Sequence, residues 1–244
     1  MSAPRLLVDA GNTRVKWVLV TENRWSDEGA ADYADLSALA QKAPASVKCA
    51  IASVAGSARN TQLSRLLSDW DITPVWLKSE AQFLDLKNLY STPSQLGVDR
   101  WMSMIAARRR HSGDTLVVSL GTAMTIDALS AEGEFLGGMI IPGYRLMERC
   151  LQEGTAQVGS DNGSWQAFPK NTADAVQSGI VAAMCGAIQM QYSRLAEKCR
   201  CIPLILLTGG DAEMLMPYLD LPVEQVPYLV LEGIDQVTRE NWAG

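Results

Sequence analysis

The residues of this chain best suited to chemistry stand where apolar runs break at glycine. In "RLLVDAGNTRVKW", Arg5 to Trp17, an apolar run ends at Asp9 and a turn through Gly11, Asn12 and Thr13 leads into a second strand-like run. Glycine at a hairpin tip lets backbone N–H groups approach a ligand without Cβ interference. Consecutive N–H groups there make a concavity suited to phosphate. Asn12, Thr13 and, in "SLGTAMTID", Thr122 add side-chain donors. Asp9 suits Mg²⁺ instead, directly or through water, because magnesium prefers carboxylate, water and phosphate oxygens. A ligand-free Gly-Asn hairpin is the plain alternative. Against it stand the second copy, "LVVSLGTA" from Leu116 to Ala123, and a third glycine-rich strand end, "TGGD" from Thr208 to Asp211. The G-x-x-x-x-G-K-[ST] and G-x-G-x-x-G phosphate motifs are absent.

Phosphoryl transfer also needs a group to receive the proton of the acceptor hydroxyl. "QLGVDRW", Gln95 to Trp101, sets Asp99 and Arg100 at the start of a helical pattern. Such an aspartate can accept a proton, and the adjacent guanidinium can hold an anionic substrate or transition-state charge. Spacing alone equally describes a helix-start acid in a surface ion pair.

Composition narrows the classes. The chain has 244 residues, 48% hydrophobic and 20% charged, which describes a globular protein of one large or two modest domains. A net charge of -6 argues against a general nucleic-acid partner. The one basic run, Arg108 to His111, reads as the solvated C-terminal end of a helix, where cations suit the helix dipole. No segment has the ~20 apolar residues of a membrane span, and Asp9 interrupts any signal-peptide core. The cysteines, Cys49, Cys150, Cys185, Cys199 and Cys201, read as reduced thiols of a cytoplasmic chain. Cys199 and Cys201 form a lone C-x-C, by itself a weak metal signal. A single histidine, His111, argues against a His-based zinc site and against Ser-His-Asp hydrolysis.

The elements that must position these residues alternate. Strands are expected at "RLLVDAG", "KWVLV", "KCAIASVAG", "TLVVSLG", "AMTIDAL" and "IPLILLTGG". Helices are expected at "LSALAQKA", "TQLSRLLSDW", "GVDRWMSMIAARRR", "TADAVQSGIVAAMCGAIQMQYSRLAEK", with a cap in "NTADA", and "AEMLMPYL". This is an α/β class with a largely buried sheet. The echo between "LLVDAGNT" and "LVVSLGTA" sets Ser119 opposite Asp9. It implies two similar halves, 1–113 and 114–244, with the glycine turns facing a cleft.

Taken in order, "DAGNTRVKW", "LGVDRW", "SLGTAMTID", "FLGGMIIPGYRLM", "NTADAVQSG" and "LTGGDA" resemble the type III pantothenate kinases, a family that includes the Bvg accessory factor proteins. The resemblance spans about residues 5 to 234. It implies the acetate kinase/Hsp70/actin (ribonuclease H-like) fold, two similar actin-like ATPase domains with nucleotide in the interdomain cleft. It implies ATP-dependent phosphorylation of pantothenate to 4'-phosphopantothenate, the first step of coenzyme A synthesis, by a homodimer with the pantothenate site near the dimer interface. Carried over by position, the ATP-binding segment falls on Asp9, Ala10, Gly11, Asn12, Thr13, Arg14, Val15 and Lys16, with Mg²⁺ at Asp9 and a second phosphate contact at Thr122. Pantothenate contacts fall on Tyr90, Gly97, Val98, Asp99, Arg100 and Thr172, and the proton acceptor on Asp99. Many members carry an aspartate where this chain has Ser119, and that aspartate helps hold K⁺ or NH₄⁺. A hydroxyl is a poorer cation ligand, so a weak or empty monovalent site is expected here. Two other readings share the fold: another sugar or acid kinase or phosphatase, and a nucleotide-binding regulatory protein without turnover. Tyr90, "GVDRW" and Thr172 speak against the first, and Asp99 against the second.

Overall fold

The computed structural model describes residues 3–36, 39, 47–155, 159 and 162–242. The chain divides into two compact units, one of residues 1–110 and 228–244, the other His111–Pro227.

In the first unit the strands are β1 (Arg5–Ala10), β2 (Arg14–Thr21), β3 (Arg24–Asp32), β4 (Lys48–Ser53) and β5 (Pro74–Trp76), in the order β3-β2-β1-β4-β5. β1 pairs antiparallel with β2 and parallel with β4. Period-2 alternation sorts the side chains of β1 between two faces. Leu6, Val8 and Ala10 enter a core with Leu63 and Leu67 of helix α1 (Ser57–Ser68). Arg5, Leu7 and Asp9 share the other face. There the Arg5 guanidinium makes a buried 2.8 Å ion pair with Asp235 and hydrogen-bonds the Thr238 hydroxyl. Short strands β6 (Gln82–Phe83) and β7 (Leu86–Asn88) form a hairpin before helix α2 (Val98–Arg110).

In the second unit β8 (Thr115–Leu120), β9 (Ala123–Leu129) and β10 (Glu134–Pro142) form a meander. Helices α3 (Tyr144–Gly154) and α4 (Thr172–Cys199) follow, then β11 (Leu204–Thr208), the single-turn α5 (Ala212–Leu215) and β12 (Val223–Gln225). The strand order β10-β9-β8-β11-β12, two antiparallel then two parallel pairings, repeats that of the first sheet. Leu116, Val118 and Leu120 of β8 pack on Ile180, Val181, Met184 and Ile188 of α4. Asn171 caps α4, its side chain accepting a 2.9 Å hydrogen bond from Asp174 N–H, as "NTADA" foretells.

The last helix, α6 (Leu229–Trp242), corrects the expected division at 113/114. It belongs with the first unit, because its Asp235 is the buried partner of Arg5 and Gly233 packs directly on the Met102 backbone of α2. The basic run does close α2, yet two of its arginines are held: Arg108 by Asp85 at 2.8 Å and Arg110 by Glu232 at 2.6 and 2.7 Å. The helix expected at "LSALAQKA" lies mostly outside the described residues.

Candidate functional site

In the first unit, β-sheet parity aims Asp9 at the face covered by α6 and places it opposite Lys16 of β2. The Lys16 ammonium lies 5.9 Å from the Tyr228 ring centroid at the entry to α6. Burial pushes the Asp9 carboxyl up to about 7, opposed by the Lys16 charge and reinforced by the charge of Asp99. The two carboxylates therefore sense one another. The turn beyond Asp9 closes through a 3.1 Å hydrogen bond from Gly11 N–H to the Arg14 carbonyl. Asn12 and Thr13 stand exposed at its tip. The Tyr33 hydroxyl donates a 2.8 Å hydrogen bond to the Gly11 carbonyl, and the Arg59 guanidinium lies over the Tyr33 ring at 4.7 Å.

Asp99 sits in the first turn of α2, where the helix dipole suits an anion. Its Oδ1 accepts a 2.8 Å hydrogen bond from Arg100 N–H, and its carbonyl accepts from the Ser103 hydroxyl. Burial raises its pKa, and the Arg100 N–H and guanidinium oppose the rise. Gly97 has a reason to be glycine: a Cβ there would stand 2.6 Å from Asp99 Oδ1. Arg100 is buried, and its guanidinium donates a 3.0 Å hydrogen bond to the Tyr90 hydroxyl. Tyr90 is placed by Asn88, whose buried side chain accepts from Tyr90 N–H and donates to the Glu80 and Pro93 carbonyls.

Tyr90, Gly97, Val98, Asp99 and Arg100 thus form one cluster, with Asp9 within electrostatic reach. The segment Asp9 to Lys16 is of mixed character. Ala10 and Val15 are fully buried core residues, so only their backbone is available to a ligand. Arg14 forms an exposed 3.3 Å ion pair with Asp32. Tyr33, Arg59, Asn88 and Tyr228 were not singled out in the sequence. Tyr33, Arg59 and Tyr228 act through partners distant in the chain, and Asn88 acts through hydrogen bonds within its own loop that residue type does not announce.

The second unit carries its own interlocked turns. Gly121 N–H donates to the Ala123 carbonyl, and the Thr122 carbonyl accepts from Gly143 N–H at 3.0 Å. Thr122 is exposed at this tip. Gly209, with φ +101°, packs so closely that a Cβ would meet the Leu120 carbonyl oxygen at 2.0 Å. The "TGGD" strand end therefore does lie against the Gly121 turn. Ser119 is flanked by Thr125 and Thr208 across the sheet. Thr172 is exposed at the first position of α4.

The donor set fits Mg²⁺ at Asp9. It is a hard carboxylate oxygen whose ionisation the protein resists, and a dication relieves that cost. Among the described residues no helix is long and apolar enough to cross a membrane.

The sequence model of the type III pantothenate kinase family matches residues 5–194. The chain is 52% identical over 244 residues to the type III pantothenate kinase of Thiobacillus denitrificans, covering 100% of both chains. It is 40% identical over 241 residues to that of Nitrosospira multiformis, covering 97% of this chain and 91% of the relative. Among solved structures it is similar to a Campylobacter jejuni protein assigned to the Baf family of transcriptional activators. That match has a TM-score of 0.64 at 21% identity and covers 98% and 100% of the two chains. A Sinorhizobium meliloti protein assigned as a 2-dehydro-3-deoxygalactonokinase also gives a TM-score of 0.64, at 14% identity, covering 98% and 99%. The structural matches bear on the fold, the acetate kinase/Hsp70/actin class.

Proposed function

The chain belongs to the type III pantothenate kinase family, and from that membership we propose how its residues divide the work. The reaction is phosphorylation of pantothenate by ATP with Mg²⁺, in the synthesis of coenzyme A. In our reading Asp99 accepts the proton of the pantothenate hydroxyl. Arg100 and Tyr90 orient the substrate, Gly97 and Val98 offer backbone groups, and Thr172 adds a hydroxyl. Asn12, Thr13 and Lys16, at and beside the Gly11 turn, are read as contacts of the ATP phosphates, and Thr122 as a further phosphate contact.

The observation that carries this reading is the Asp99 environment. A carboxylate with a raised pKa, hydrogen-bonded to a backbone N–H and set beside a buried arginine, is suited to general base work near neutral pH. When bound, Mg²⁺ supplies positive charge to the transferring phosphoryl group. Asp9 would hold it, directly or through water. The two units are read as actin-like ATPase domains, and the chain as a cytoplasmic homodimer. Light scattering should report twice the chain mass of 26.5 kDa, and a monomer under assay conditions would refute the dimer.

The direct test is ADP release from ATP with pantothenate, compared with other hydroxy acids. Release should require pantothenate. Release that is equal without it, or greater with another acid, would overturn the reading.

A further inference from the structure

The C-x-C of the second unit is not absorbed by the kinase reaction. Cys199 ends α4, Cys201 leads toward β11, and Asp114 precedes β8. Their ligand atoms all lie within 4.8 Å of one another. The Cys201 thiol donates a 3.4 Å hydrogen bond to Asp114 Oδ2. We propose that Asp114, Cys199 and Cys201 form a binding site for a soft or borderline divalent cation, Zn²⁺ foremost.

Three features support it. First, the backbone is shaped to bring the thiols together. Arg200 between them adopts a left-handed conformation, φ 54°, at the end of α4. Glycine is the usual residue there, and for another L-residue the conformation costs on the order of 1 kcal/mol. Second, the carboxylate is fixed. Asp114 Oδ1 accepts a 3.2 Å hydrogen bond from Ala131 N–H and its carbonyl accepts from Leu204 N–H, leaving Oδ2 for the thiol side. An outer hydrogen bond of this kind orients a metal ligand. Third, the spacing is close to what a tetrahedral ion needs. Zn–S near 2.3 Å and Zn–O near 2.1 Å set ligand atoms roughly 3.6 to 3.8 Å apart, so a small closure of the trio completes the site.

The Cys201 thiol is pushed up to about 12, first by its hydrogen bond to Cys199, then by burial and by Asp114. Binding displaces both thiol protons to solvent, giving two thiolates and one carboxylate around the dication, a net charge of about -1 at the centre. Thiolate ligands favour zinc over magnesium or calcium. With three protein ligands, the fourth position is left to water.

The experiment is titration of the full-length, reduced protein with Co²⁺, followed by displacement with Zn²⁺. Sulfur-to-cobalt charge-transfer absorption should saturate at one ion per chain and vanish as Zn²⁺ is added. Cys199→Ser and Cys201→Ser should each abolish the band, and Asp114→Asn should weaken binding at least tenfold. Cys150→Ser, which alters an exposed thiol outside the trio, should leave it intact. Unchanged ADP release by Cys201→Ser shows that the variant folds. No charge-transfer band, or a band that survives Cys199→Ser and Cys201→Ser, would overturn the proposal.

Discussion

The Arg100 guanidinium donates a 3.0 Å hydrogen bond to the Tyr90 hydroxyl and lies 5.7 Å from the centroid of the same ring. One residue opens α2 and the other follows the β7 hairpin, so the contact fixes the loop before α2 against the helix that carries Asp99. Planarity matters here. Arginine can stack on the ring while its fork reaches the hydroxyl, and lysine cannot do both. Arg100→Lys should therefore raise KM for pantothenate about tenfold, the value of a hydrogen bond to a charged group of ~1.5 kcal/mol. Steady-state kinetics decide it, and a KM within twofold of the parent would remove Arg100 from the substrate contacts.

Asp99 should set the acid limb of the pH profile. Its pKa is raised by burial, so the basic form is lost as pH falls through a value above the ordinary carboxylate range. Turnover should decline along that limb. Asp99→Asn should lower kcat by ~10²–10⁴-fold, flatten the limb and spare pantothenate binding. A variant with near-normal turnover would reassign the base.

Asp9 should cost stability to keep. It ionises near 3.8 in an unfolded chain and at about 7 in the folded one. Between those values the folded state binds more protons, so this group subtracts stability as pH rises from about 4 to 7, and the whole loss is present above that. At 1.36 kcal/mol per pKa unit the upper bound is about 4 kcal/mol. Without Mg²⁺, Asp9→Asn should be the more stable protein in urea at about pH 8, with the gain shrinking toward pH 4. It should also use Mg²⁺-ATP poorly while still binding pantothenate. Equal urea midpoints at pH 8 would show that burying this carboxylate carries no penalty.

Much of this was legible in the sequence because it is local. Val, Ile and Leu runs ending at glycine marked β1, β8 and β11, and the echo between "LLVDAGNT" and "LVVSLGTA" foretold the matching hairpins β1-β2 and β8-β9. Much of what was missed is non-local or polar, although β10, "EFLGGMIIP", was missed despite its apolar run because two glycines interrupt it. β3, "RWSDEGAAD", alternates between exposed and half-buried along the edge of its sheet up to the buried Ala31 and carries little apolar signal. The return of α6 to the first unit rests on the ion pair of Arg5 with Asp235, partners at opposite ends of the chain. The roles of Asn88 and Tyr33 lie in hydrogen bonds to loops, which residue type does not announce.

Ser119 provides the last test. In matching positions of the two sheets, Asp9 faces Lys16 and Ala52, whereas Ser119 is flanked by Thr125 and Thr208. Three hydroxyl-bearing residues replace a carboxylate and its neighbours. Hydroxyl oxygens can ligate a monovalent cation, but they supply no net charge to offset its desolvation, whereas a carboxylate does. Phosphoryl transfer still needs positive charge near the developing phosphate charge. In our reading Mg²⁺ and Arg100 provide it. Activity in sodium or Tris salts should then rise less than about twofold when K⁺ or NH₄⁺ is added. Ser119→Asp should create a dependence, since it restores the missing charge beside two hydroxyls already in place. Strong K⁺ activation of the unaltered chain would show that the hydroxyl row holds the ion without a carboxylate. An unresponsive Ser119→Asp variant with normal folding would show that the position does not face a cation at all.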